Sequence, residues 1–247
     1  MGQVDEKELK LQVAKAIRLL EAVELLDMNG HVSCRIPGTD RFFINSRKAS
    51  RASVTVGDIV MCDLNGKLLE GDSEPPSEYH IHTEIYKRRS DVLSVIHNHP
   101  HYQTVLGIAD VAMKPVFGIG SFVDNVPVYE KSSLINTAEL GAELAETIGK
   151  EISVQLRNHG TVVAAESVKA AFARSVFIEE NAKKQYDALL LGREIRVLTG
   201  DNLVRTRETA WQPSIIEKVW TYHEQRALKQ GILEGIDEQS PQTMMSK

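Results

Sequence analysis

The chain has 247 residues and a formal net charge of −5, length enough to bury a full core in one large α/β domain. An acidic surface attracts neither nucleic acid nor anionic lipid, and no apolar run reaches the roughly 18–20 residues that cross a bilayer. Two cysteines, Cys34 and Cys62, read as isolated buried thiols of a reducing compartment. Met1 to Leu11 is charged and lacks the apolar core of a signal peptide, so a cytoplasmic protein is expected.

In chain order, residues 6–26 carry Leu9, Val13, Ile17, Leu20 and Val23 or Leu26 at helical spacing, with Asn29-Gly30 to end the helix. His31 to Ile36 reads as a strand, and Pro37-Gly38 turns the chain into a second at Arg41 to Ile44. Asn65-Gly66, between Ile59–Leu64 and Lys67–Leu69, is a hairpin signal, so the sheet is at least partly antiparallel. Ser77 is placed to cap a helix carrying Glu78. A short helix is expected over Tyr102–Ala109, another from Ser132 or Ser133 to Ile148, and a long one capped by Ser167. Pro213 opens a last helix with Ile215, Ile216, Val219 and Trp220. Residues 1–230 read as one domain, and 231–247 as a disordered tail.

Chemistry concentrates in the histidines. His97 and His99 end the apolar run Val92 to Ile96, and residues two apart on a strand share a face, so both imidazoles can grip one metal ion. His159 follows a second β-branched run, Ile152 to Leu156. Three neutral imidazoles leave a coordination position open, as catalytic rather than structural sites do. Glu78, nineteen residues before His97, has a carboxylate that can reach that position. His101 lies beyond Pro100, and His80 points off the Glu78 face. His82 shares that face, but none of the three joins the ligand set.

Pro76-Ser77-Glu78, His82, His97-x-His99 and Asn158-His159-Gly160, within a likeness running from about Ile17 to Leu191, resemble the class II aldolase/adducin family. The resemblance implies a single α/β domain, with a central, mostly antiparallel sheet and helices on both faces. It implies one divalent metal per subunit on His97, His99 and His159, with Glu78 as acid/base. Zinc suits three histidines, and manganese, cobalt or iron would accept them. It also implies a homo-oligomer, a tetramer or multiple, with sites at subunit interfaces. Tyr222 or His223 of the final helix would then enter a neighbour's site, the alternative being an amphipathic helix with Trp220 and Tyr222 packed.

The substrate pocket departs from the family's sugar-phosphate aldolases. Their Gly-Asn-x-Ser-x-Arg stretch reads Gly30-His31-Val32-Ser33-Cys34-Arg35 here, their Thr-Gly pair reads Arg47-Lys48, and their paired serines read Pro76-Ser77. Cationic groups thus partly replace small phosphate donors; Arg47 and Lys48 read either as a solvated loop or as a grip on a planar carboxylate, which an arginine fork suits. The wording resembles the family's hydroxy-aromatic dicarboxylate decarboxylases, with His31, Ser33, Arg47, Lys48 and Ser77 orienting an anionic small molecule. An aldolase cleaving a ketose phosphate, a sugar-phosphate 4-epimerase and a metal-free adducin-like binding protein are the alternatives.

Overall fold

The structure, a computed structural model, describes residues 5–238. Helix α1 (Glu6–Glu21) begins where the Asp5 carboxylate accepts the Lys7 and Glu8 N–H groups, with two glutamates in its positive first turn. The strands are β1 (His31–Arg35), β2 (Arg41–Asn45), β3 (Ile59–Asp63), β4 (Leu68–Glu70), β5 (Ser94–Asn98), β6 (Val128–Tyr129), β7 (Ser153–Leu156) and β8 (Gly160–Ala165). They form one sheet in the order β4-β3-β2-β1-β5-β8-β7-β6. Every pairing is antiparallel except β6 with β7.

Alternation along these strands divides the core in two. Val32, Cys34, Phe43, Ile96 and Val163 pack with α1, α5 (Val168–Leu190) and α7 (Pro213–Lys229), and the short α3 (His101–Ile108) packs on α5. Phe42, Ile44, Val60, Val95 and Val162 face the other way, onto α2 (His80–Arg88) and α4 (Ala138–Ile148). The expected α/β domain with helices on both faces is therefore what forms. Both cysteines are free and buried, and burial pushes each thiol up to about 12. No helix among the described residues is long and apolar enough to cross a membrane.

Several boundaries differ from the sequence reading. Helix α1 stops at Glu21, because the Leu20 carbonyl takes the Val23, Leu25 and Leu26 N–H groups and Glu24 turns left-handed at φ 59°. Ser77 caps nothing: the Pro76 carbonyl takes the Tyr79 N–H in a tight turn, and α2 starts at His80. Thr137, rather than Ser132 or Ser133, caps α4. Helix α6 (Gly200–Ala210) lacks any buried residue, hence any apolar stripe to announce it.

The segment after residue 230 is also packed as far as it is described. Leu233 and Ile236 join the α1-side core, and the Val56 N–H donates to Ile236 O. Buried Arg18 donates to the carbonyls of Val54, Ser53, Ile232 and Glu234. Residues 231–238 are thus part of the fold, and the remainder of the expected tail, 239–247, lies outside the described residues.

Candidate metal and active site

The site lies on the α2 side of the sheet, at the end of β5. This strand runs between β1 and β8, so His97, in register with His31 on one side and Val162 on the other, is completely enclosed. Its Nδ1 is 3.0 Å from Thr161 O, a contact that only a ring N–H can make with a carbonyl, so the proton sits on Nδ1 and the Nε2 lone pair faces the site. His99 follows one residue beyond the strand end, where Pro100 stops the ladder. The ring centroids of His97 and His99 are 4.9 Å apart.

His159 sits in the hairpin turn between β7 and β8. Asn158 there takes φ 54°, a left-handed conformation that asparagine tolerates, and the His159 N–H closes the turn on Leu156 O at 3.1 Å. Gly160 is required by proximity: a Cβ would strike Asn98 O and the His99 ring. That close approach brings the His159 ring to 4.9 Å from His97 and 5.2 Å from His99. Residues 97, 99 and 159 offer ligand atoms all within 4.8 Å of one another.

Three ring nitrogens here, His97 Nε2, His99 Nε2 and His159 Nδ1, are buried without a hydrogen-bond partner. Such atoms are costly unless something binds them, and a divalent cation is the partner that three converging neutral imidazoles fit. Burial, followed by the neighbouring imidazoles, holds His97 well below its ordinary range; burial also lowers His159, against a smaller upward pull from Glu78. Neutral rings are the form that ligates. The outward Nδ1 of His99 stands 3.7 Å from Asp27 Oδ1, placing a carboxylate behind a ligand as metal-binding histidines commonly have.

Glu78 reaches this cluster from the turn before α2. Its Oε1 accepts the Ile135 N–H at 2.9 Å, and its Oε2 lies 3.8 Å from His97 Nε2. One oxygen is tethered and the other faces the histidines. His31, Glu78 and His97 also bring their ligand atoms within 4.8 Å of one another.

Behind them runs a buried chain that sequence reasoning did not anticipate. His31 Nδ1 is 2.6 Å from His82 Nε2, His82 Nδ1 is 2.6 Å from Ser33 Oγ, and that oxygen is 2.6 Å from Tyr86 Oη. Burial holds His82 down at about 3 and puts His31 well below its usual value, with His82 and His97 adding to the latter. The i, i+4 spacing of His82 and Tyr86 was the available signal.

Not every expected residue gathers here. His31 does, but the Ser33 hydroxyl is committed to His82 and Tyr86 and does not face the histidine triad. Ser77 is exposed beside Glu78. Arg47 and Lys48 are exposed and line a separate cleft with Leu68, Asp72 and Glu74; no hydrogen bond or ion pair among the described residues ties them to the histidines. Tyr222 is exposed on α7, which packs on α5 and α1, while Trp220 on the same helix is buried. His101 is exposed, and His80 packs on Tyr79.

Comparison with known proteins agrees with this architecture. A 3,4-dihydroxyphthalate decarboxylase of Arthrobacter keyseri is 27% identical over 233 residues, 84% of this chain and 94% of its own. An L-fuculose phosphate aldolase of Methanococcus maripaludis is 29% identical over 173 residues, 70% and 93% of the two chains. The fold also matches the crystal structure of an aldolase II superfamily protein from Pseudomonas syringae at a TM-score of 0.82 and 21% identity, covering 93% of this chain and 96% of that one. Residues 11–186 fit the family described as Class II Aldolase and Adducin N-terminal domain, and the chain belongs to that family.

Proposed function

We propose that the protein is a metal-dependent carbon–carbon lyase that removes carbon dioxide from a hydroxylated aromatic or oxo dicarboxylic acid. The observation that carries this reading is the set of three partnerless imidazole nitrogens with the Glu78 carboxylate beside them. His97, His99 and His159 would hold the divalent ion, which supplies Lewis acidity toward the negative charge that develops on a substrate oxygen. The bond to the departing carboxylate breaks, its electron pair passes into the substrate toward that oxygen, and the carbon left behind takes a proton. Glu78 Oε2, the oxygen that Ile135 leaves free, moves that proton, directly or by way of a water. His31, fixed by His82, orients the substrate from the β1 side.

Decarboxylation is favoured over other lyase chemistry by His31, which stands where the phosphate-binding aldolases have asparagine, and by the similarity to the Arthrobacter keyseri enzyme along most of both chains. The second reading is an aldolase acting on a ketose phosphate, supported by the similarity to the Methanococcus maripaludis protein. The same residues would serve it, since retro-aldol cleavage also leaves charge on an oxygen and a carbon awaiting a proton. Zinc is the first ion to try, with manganese, cobalt and iron after it. We place the enzyme in the cytoplasm, as a homo-oligomer whose α7 brings Tyr222 to a neighbouring subunit's site, acting in the breakdown of aromatic acids.

The deciding assay follows carbon dioxide release from a panel of hydroxy-aromatic dicarboxylates beside cleavage of phosphorylated ketoses. Dihydroxyacetone phosphate from a ketose phosphate, with no carbon dioxide from any acid, would overturn the decarboxylase reading.

A further inference from the structure

A dicarboxylate needs a cation besides the metal ligands. Arg47 and Lys48 are poor candidates, because their cleft is shared with Asp72 and Glu74, whose charge opposes a carboxylate. Arg51, in the loop between β2 and β3, is different. It is only 7% exposed, its Nε donates to Gly30 O at 2.9 Å and its Nη1 donates to Ala49 O. Gly30 immediately precedes His31, and a Cβ on it would press on His97 O, so Arg51 is anchored to backbone that runs directly into two residues of the site.

Arg18 shows what a purely structural buried arginine looks like in this fold. Its Nε, Nη1 and Nη2 all donate, to four carbonyls. Arg51 has carbonyl partners at Nε and Nη1 alone, and among the described residues no carboxylate pairs with it. Asp27, the acidic group whose field it feels, is largely exposed and stands beside His99. Arg51 Nη2, without a partner among the described residues and not itself sealed from solvent, is a donor edge open to an incoming anion. The Arg51 charge is felt at His31, adding to burial, His82 and His97 in keeping that imidazole neutral.

We propose that Arg51 is the specificity-determining cation of this site, its Nη edge gripping the substrate carboxylate that the metal does not hold. The inference rests on the dicarboxylate reading above and names the residue that recognises the second acid group. It makes Arg51, not Arg47 or Lys48, the reason a diacid is preferred to a monoacid.

The test is calorimetric binding of phthalate and benzoate to the zinc-loaded full chain, for wild type, Arg51→Met and Arg51→Lys, with melting temperature and zinc content measured on each. The expected result is that wild type prefers phthalate, that Arg51→Met weakens phthalate by about 30-fold with benzoate nearly unchanged, and that Arg51→Lys falls between them. If Arg51→Met does not fold, Arg51→Lys decides alone, by whether it loses phthalate selectively. Equal affinity for phthalate in wild type and a folded variant would overturn the inference, and so would parallel loss of both ligands. Because binding is read without turnover, Arg51 is judged even if the carbon dioxide assay fails, and the two failures remain distinct.

Discussion

His31 on β1 and His82 on α2 share a 2.6 Å contact between Nδ1 and Nε2, and the other nitrogen of His82 meets Ser33. A neutral imidazole has one donor and one acceptor, so the direction of hydrogen bonding at Ser33 fixes the tautomer of His82 and, through it, that of His31. His82 therefore acts as a positioning residue for the side chain that faces Glu78 and His97. His82→Leu should lower kcat/KM by about 10–100-fold while bound-metal content holds, the usual scale for groups supporting a site from behind. His82→Gln, which restores a donor and an acceptor, should recover part of the loss. Equal activity in wild type and a folded His82→Leu protein would reduce the pair to packing.

The same burial predicts acid sensitivity. His82 is held at about 3, and His31 and His97 also lie below the ordinary histidine value of 6.5. The fold favours the neutral rings, so their contribution is complete above about pH 6.5 and is lost as pH falls below it, when the unfolded chain takes up protons that the native site refuses. For His82 alone the difference between pH 6.5 and about 3 is on the order of 5 kcal/mol. Urea midpoints of the metal-free protein should therefore fall from pH 6.5 toward 4. His82→Leu should flatten that decline, and a slope identical to wild type would show that the ring is not the source.

Metal binding makes the most direct forecast. Wild type should purify with close to one divalent ion per chain by elemental analysis, and His97→Ala should lose it. His97 is the triad member best fixed in place, through Thr161 O, and its Nε2 has no hydrogen-bond partner. Stripping the ion with a chelator should abolish turnover and lower the melting temperature, since an ion bound to the native state alone stabilises it by mass action. Equal metal content in wild type and His97→Ala would remove the basis of the proposed chemistry.

Much of this architecture is legible in the sequence because burial leaves a period-two trace. Val95 and His97 face one way and Ile96 the other, so the strand announces both its face and its ligand. What escapes is whatever depends on backbone groups from distant segments. Nothing near Glu78 in the chain says that the Ile135 N–H will tether it, and nothing near residue 232 says that Arg18 will hold its carbonyl. Ser33 misleads for a related reason: its place on β1 points its hydroxyl to the correct face, but α2 arrives with His82 and Tyr86 and takes it. Arg47 and Lys48 stand out in the sequence as cations in a family position, whereas Arg51, buried and held by Gly30 O, has no local pattern to mark it.

The Glu78–Ile135 hydrogen bond separates two roles that a single substitution can test. Oε1 is held by the backbone at 2.9 Å, leaving Oε2 toward His97. A glutamine preserves this geometry, because its amide oxygen can accept the same N–H, but it cannot carry a proton at neutral pH. Glu78→Gln should therefore keep the melting temperature and KM near wild type while kcat falls by about 10²–10⁴-fold, the usual contribution of a positioned acid or base. Glu78→Asp, one methylene shorter, cannot keep both the Ile135 tether and the approach to His97, and should lose kcat with its carboxylate intact. Single-turnover rates on a substrate of the carbon dioxide panel would separate this from slow product release. A Glu78→Gln enzyme that turns over at the wild-type rate would move the proton's carrier to another group, and His31, the other buried side chain facing His97, would be the next to substitute.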